Sequence, residues 1–207
     1  MKRFGIGSMI AVAGMIGGAS AVASAGVRID LAVYENSSGG DTSKLDLWVD
    51  VIDGGSVVDF VFRNDSTGAA VISNVYFEMN SLIANGSLAG STGNVAFSIG
   101  GAPPNPAQPA FLYGGSWGGN LMRVAASAPA PQKGIGPGES LTVRFDLVGT
   151  FADVVSALQP NASDGFRIAQ HVISVNNDFS VWTINTPTPG SAAVLGLGGL
   201  VAMRRRR

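Results

Sequence analysis

The sequence predicts an all-β protein, a single β-sandwich of immunoglobulin-like or jelly-roll-like kind. Three observations predict it. Apolar and polar residues alternate with period two in several short runs, and the runs are separated by Gly, Pro and Asn turns. Helical periodicity is nearly missing from the middle of the chain. Such patterning buries one face of each strand and leaves the other wet.

Val27–Tyr34 is the first strand, with Val27, Ile29, Leu31 and Val33 on one side and Arg28 and Asp30 on the other. Leu45, Leu47, Val49 and Val51 then alternate with Asp46, Trp48 and Asp50. Asp53-Gly54-Gly55-Ser56 is a hairpin turn leading into Val57–Arg63. Asn64–Gly68 is a loop, and Val71–Glu78 is a strand with Val75 and Phe77 on one face. Val95–Ile99 is short and apolar. Pro103, Pro104, Pro106 and Pro109 impose an extended loop, because proline lacks the N–H that a ladder needs. Leu121–Ala126 is a strand and Ala128–Gly138 a loop. Leu141, Val143, Phe145 and Leu147 mark another strand. Phe151–Leu158 is the one short helix. Phe166–Val175 and Phe179–Ile184 pair around Asn176-Asn177-Asp178.

The chain of 207 residues divides into three parts. Residues 1–25 read as a signal peptide forming a short helix. Lys2 and Arg3 are its basic start, Gly5–Val22 its apolar stretch, and Ala23-Ser24-Ala25 its small-residue cleavage site for signal peptidase. Residues 26–185 form the β-domain, which is long enough to bury a core without staples. Residues 186–207 form a tail with an apolar helix over Ser191–Met203. That span is shorter than the roughly 20 residues a comfortable membrane helix needs. Arg204, Arg205, Arg206 and Arg207 then stop it on the cytoplasmic side.

Charge and composition exclude several functions. All 14 acidic residues lie in the middle part against 7 basic ones, a net charge of −7 there. Phosphate neutralisation, and with it nucleic-acid binding, is therefore excluded. With no cysteine, disulfides, thiolate chemistry and a lipid-modified anchor are excluded too.

The tail resembles a PEP-CTERM sorting signal. It carries a Pro-containing motif (Pro187-Thr188-Pro189), an apolar span with Leu195-Gly196-Leu197-Gly198-Gly199-Leu200, and an arginine cluster. Threonine stands where the family's motif has glutamate. The resemblance implies a bacterial protein processed by an exosortase-type enzyme. It implies a membrane-anchored stage during sorting, and a destination at the cell envelope, surface or extracellular matrix. It also implies a link to exopolysaccharide and biofilm. The function expected is structural or adhesive and not enzymatic. The alternative is a carbohydrate-binding module working through exposed aromatics, with polysaccharide as the partner. A secreted hydrolase is third.

Chemistry-bearing residues are few. Gly114-Gly115-Ser116-Trp117-Gly118 matches a nucleophile elbow, yet no helix pattern follows it, and the motif requires a strand-to-helix turn. His171 is the only histidine and reads as structural. Asp41, Asp46, Asp50 and Asp53 are a carboxylate-rich stretch. They read as a solvated face, with calcium as the alternative, because they depart from the loop pattern that calcium sites use. No other cofactor is implied. Glu35, Glu78 and Glu139 give no paired-carboxylate spacing. Trp48 shares a strand face with Asp46 and Asp50 and is the residue singled out for ligand binding. Trp117, Trp182 and Tyr113 are further aromatics that could stack on a sugar.

Overall fold

The computed structural model describes residues 26–100, 120–159, 165 and 167–186. The signal segment with Ala23 and Ala25, the proline-rich loop, the Ser116 motif with Tyr113 and Trp117, and the tail with Pro187, Thr188, Pro189 and Arg204–Arg207 lie outside the described residues. Among those described, no helix is long and apolar enough to cross a membrane.

The expected all-β class holds. Among the described residues ten strands run in the order β1 (Gly26–Glu35), β2 (Leu47–Asp53), β3 (Val57–Asn64), β4 (Val71–Glu78), β5 (Ile83–Ser91), β6 (Phe97–Ile99), β7 (Leu121–Ala126), β8 (Glu139–Leu147), β9 (Ile168–Val175) and β10 (Phe179–Thr186). Two short helices are added, α1 (Ala130–Lys133) and α2 (Phe151–Ala157). The arrangement differs from two separate sandwich layers. All ten strands are hydrogen-bonded into one antiparallel sheet, ordered β5-β8-β3-β2-β1-β10-β9-β4-β7-β6, which curls until it is nearly closed as a barrel. The right-handed twist between neighbouring strands brings the two ends of a long sheet towards each other in this way.

Register explains the interior. Val58, Phe60 and Phe62 of β3 face the same side as Phe145, Val143 and Leu141 of β8, their direct partners. Val49 and Val51 of β2 continue the row opposite Phe62 and Phe60. From the far side of the curl, Phe77 and Val75 of β4 point inward with Met122 and Val124 of β7. The two walls meet in an aromatic cluster. Phe77 packs edge-on against Phe60, Phe62 and Phe145, with ring centroids 5.3, 5.6 and 4.9 Å away.

Polar groups inside are satisfied where the chain must be pinned. Asn64 is fully buried. Its amide donates to the carbonyls of Ala70 and Ile135 at 3.0 and 2.9 Å, and its Oδ1 accepts from Ser66 N. One side chain thus ties three loops at one end of the barrel. Asn185 of β10 acts at the other end, accepting from Ile168 N and donating to the Leu158 carbonyl. That contact seats α2 across the opening, with Val154, Ala157 and Leu158 in the core. A capping box starts α2. Thr150 Oγ1 accepts from Asp153 N while the Asp153 carboxylate accepts from Thr150 N. The Thr150 hydroxyl, donating to the Asp153 carboxylate at 2.6 Å, and then Thr150 N hold that carboxyl below its ordinary pKa.

The hairpin at Asp53–Ser56 forms as read. Asp53 Oδ1 accepts from Gly55 N at 2.8 Å, and Gly55 takes φ +81°, a conformation glycine adopts without strain. β5 was not expected. Its sequence, Ile83-Ala-Asn-Gly-Ser-Leu-Ala-Gly-Ser, carries small and turn-forming residues instead of an apolar alternation. Pairing with β8 makes it a strand all the same, with two register shifts and Asn85 at φ 51°. Gly86 is needed there because a side chain would collide with Met122 and Phe145.

Candidate functional site

Two clusters stand out on the outer face of the sheet. The first surrounds Trp48 on β2. Its cross-strand partners are Asp30 of β1 and Arg63 of β3. Trp48 is not the open platform the sequence suggested, for it is 9% exposed. The Arg28 guanidinium lies over its ring, 4.0 Å from the centroid. Arg28 is itself steered by Asp30 at 2.7 Å and Asp46 at 3.3 Å. Arg63 bonds Asp50 at 2.6 Å, and Arg144 bonds Asp59 through two hydrogen bonds of 2.7 and 2.6 Å. This wall of the barrel is therefore laced by arginine–aspartate pairs. Their arginine side chains are nearly half-exposed, so water screens the pairs and each adds little to stability.

The carboxylates of the acidic stretch do not converge. Asp46 and Asp50 serve the arginines, and Asp53 belongs to the hairpin. Asp41 accepts from Ser43 N at 2.9 Å, which holds its carboxyl below the ordinary value. Among the described residues no three His, Asp or Glu side chains lie close enough to hold a metal ion. The glutamates are likewise dispersed. Glu78 pairs with Arg167, Glu139 accepts from Asn94 N and Gly136 N, and Glu35 lies beside Trp182 in the ladder.

The second cluster sits on β4, β9 and β10. His171 and Trp182 are direct cross-strand partners, and their rings stack at 4.5 Å and 20°. Tyr76 tilts against Trp182 at 5.5 Å. A bulge in β4 between Ile72 and Asn74 brings Ser73 to the same place. The Ser73 hydroxyl donates to the His171 carbonyl at 3.1 Å, accepts from Asn74 Nδ2 at 2.9 Å, and lies 3.4 Å from His171 Nδ1. Burial pushes the His171 pKa down, so the ring is neutral at neutral pH. Burial also pushes the Tyr76 phenol well above its ordinary value, against the opposing charge of Arg123. Tyr76, Ala169 and Ile184 are in register with one another and fully buried, although they face away from the main core. His171 and Trp182 remain half-buried.

The sequence named Trp182 and His171 separately but gave no reason to join them. The missing link is register across the Asn176–Asp178 turn. Four residues beyond Asp178 on one strand and seven before it on the other do not look like partners until bulges are counted. Tyr76 and Ser73 carried no signal of their own. No protein-family model, curated protein or solved structure matches the chain.

Proposed function

We propose that the chain is an exported cell-surface or extracellular-matrix protein, structural or adhesive in role and linked to exopolysaccharide or biofilm, which is sorted and processed through its C-terminal signal. One observation carries this reading. β10 ends at Thr186, one residue before the Pro187-Thr188-Pro189 motif, and β10 is hydrogen-bonded on both sides, to β1 and to β9. Asp30 of β1 is the partner of Thr186, so the start of β1 and the end of β10 lie at the same end of the barrel. A tether there pulls along a strand held by two ladders, the arrangement suited to bearing load. The halves of the sheet facing each other across Phe60, Phe77 and Phe145 then work as the two layers of a flattened sandwich.

Intact mass of the protein recovered from its host tests the reading. The expected species starts near Gly26 and ends at Pro187 or Pro189, with or without an added group. Replacing Arg204–Arg207 with serine is expected to abolish that processing. An unchanged mature mass and location in this variant would remove the sorting role.

A second reading is supported by the His171–Trp182 stack, which offers a half-buried aromatic edge beside Glu35. In this reading the face binds polysaccharide. Affinity electrophoresis through the host's own exopolysaccharide should retard the protein, and Trp182→Ala should restore free migration. Equal migration of both proteins would discard it.

A further inference from the structure

β5 contains a dipeptide that its own geometry selects. Asn85-Gly86 is the one Asn-Gly step in the sequence. Ala84 pairs with Asp146 and Ser87 with Arg144, so two residues of β5 stand opposite Phe145 alone, which is a bulge. Asn85 takes φ 51°, a left-handed conformation that asparagine tolerates better than most side chains. Gly86 must lack a side chain, because a Cβ there would collide with Met122 and Phe145. The bulge thus suits asparagine, and packing fixes glycine as its successor.

That order has a chemical consequence. A backbone nitrogen attacks the side-chain carbonyl of a preceding asparagine most easily when it belongs to glycine, since no Cβ crowds the approach. The Asn85 side chain is exposed, and its Nδ2 donates to Asp146 Oδ2 at 2.8 Å. Water therefore reaches both the group that would leave and the ring that would form.

We propose that Asn85 is a site of spontaneous covalent modification, at which the carboxamide is lost and a carboxylate appears against Asp146. The Gly86 nitrogen gives up its proton and bonds to Asn85 Cγ. The Cγ–Nδ2 bond breaks, and Nδ2 leaves as ammonia carrying that proton. Water then opens the resulting succinimide at either carbonyl, giving aspartate or isoaspartate. The step consumes one water and needs no enzyme and no oxidant. Either product replaces a donor by an anion facing the Asp146 carboxylate, and like charges at that distance repel. Isoaspartate also adds a carbon to the main chain of a bulge already one residue longer than the β8 segment opposite it. The ladder beyond, Ser87–Ser91 against β8, is strained in consequence. The modification is a one-way loosening of β5 on β8.

Incubating the purified, folded protein at mildly alkaline pH and mapping its peptides by mass at intervals tests this. The Asn85 peptide is expected to gain the mass difference between an amide and an acid, as an aspartate–isoaspartate pair, before any other asparagine does. Asn176 and Asn177 are internal references. They share the left-handed φ, at 49° and 65°, but are followed by Asn177 and Asp178, whose side chains hinder attack. Asn85→Gly keeps the backbone conformation without the carboxamide and should hold its ion-exchange position through the same incubation. The aged fraction is expected to unfold at lower urea than fresh protein, and Asn85→Asp at lower urea than the parent. An Asn85 that loses its amide no faster than Asn176 or Asn177, or only after unfolding in urea, would overturn the site. An aged fraction with the urea midpoint of fresh protein would overturn the loosening.

Discussion

Glu78→Ala is expected to destabilise the domain by about 3–5 kcal/mol, the usual cost of removing one partner from a buried ion pair. Arg167 and Glu78 meet through a bidentate contact in which the guanidinium side chain is only 6% exposed. The same two residues also share a backbone bond, Glu78 N to the Arg167 carbonyl at 2.9 Å. Deleting the carboxylate takes the paired negative charge of Glu78 away from a desolvated cation, together with the two hydrogen bonds between them. A double replacement with apolar residues of similar volume, Glu78→Leu with Arg167→Met, should recover most of the loss, because neither charge then has to be desolvated. Urea midpoints of the three proteins at equal slope check this. A single variant as stable as the parent would show that water reaches the pair.

Phe77→Ala is expected to cost a similar about 3–5 kcal/mol for a different reason. Its ring touches three other phenylalanine rings, one from β8 and two from β3, and so connects the two walls of the barrel. Truncation removes buried area and opens a void that four surrounding strands cannot jointly collapse. Thermal unfolding should drop by about 2–4 °C for each kcal/mol lost in a domain of this size. Phe77→Leu should lose clearly less. If alanine and leucine were equivalent, the cluster would be loosely packed and the walls held by their ladders alone.

Much of the fold was legible because period-two alternation survives wherever one face is buried. β1, β2, β3, β4 and β8 all announce themselves in this way. β5 does not, because an edge strand needs few inward side chains, and Gly86 must stay small to admit Met122. That all ten described strands join into one curled sheet was also beyond reach. Alternation tells which side chains face inward, but the neighbour of each strand is decided by long-range pairing. The same limit hid the site. Trp48 was placed on the correct face, but its cover, Arg28, comes from a strand twenty residues earlier. Ser73 reaches His171 only because β4 bulges, and a bulge shifts the register that a linear reading assumes.

The position of β10 has a consequence for how the chain is made. It is the last strand to leave the ribosome, yet it lies between β1 and β9 in the middle of the sheet. Without it the ladder falls into two pieces, β5-β8-β3-β2-β1 and β9-β4-β7-β6. The pairing of Leu31 with Asn185 has one of the longest sequence separations the domain allows, so closure is a slow, high-contact-order event. Until β10 is made, the preceding strands can assemble only halves, each with an unzipped rim. Completion waits for Phe179–Thr186, the keystone strand that slides in between two preformed rims.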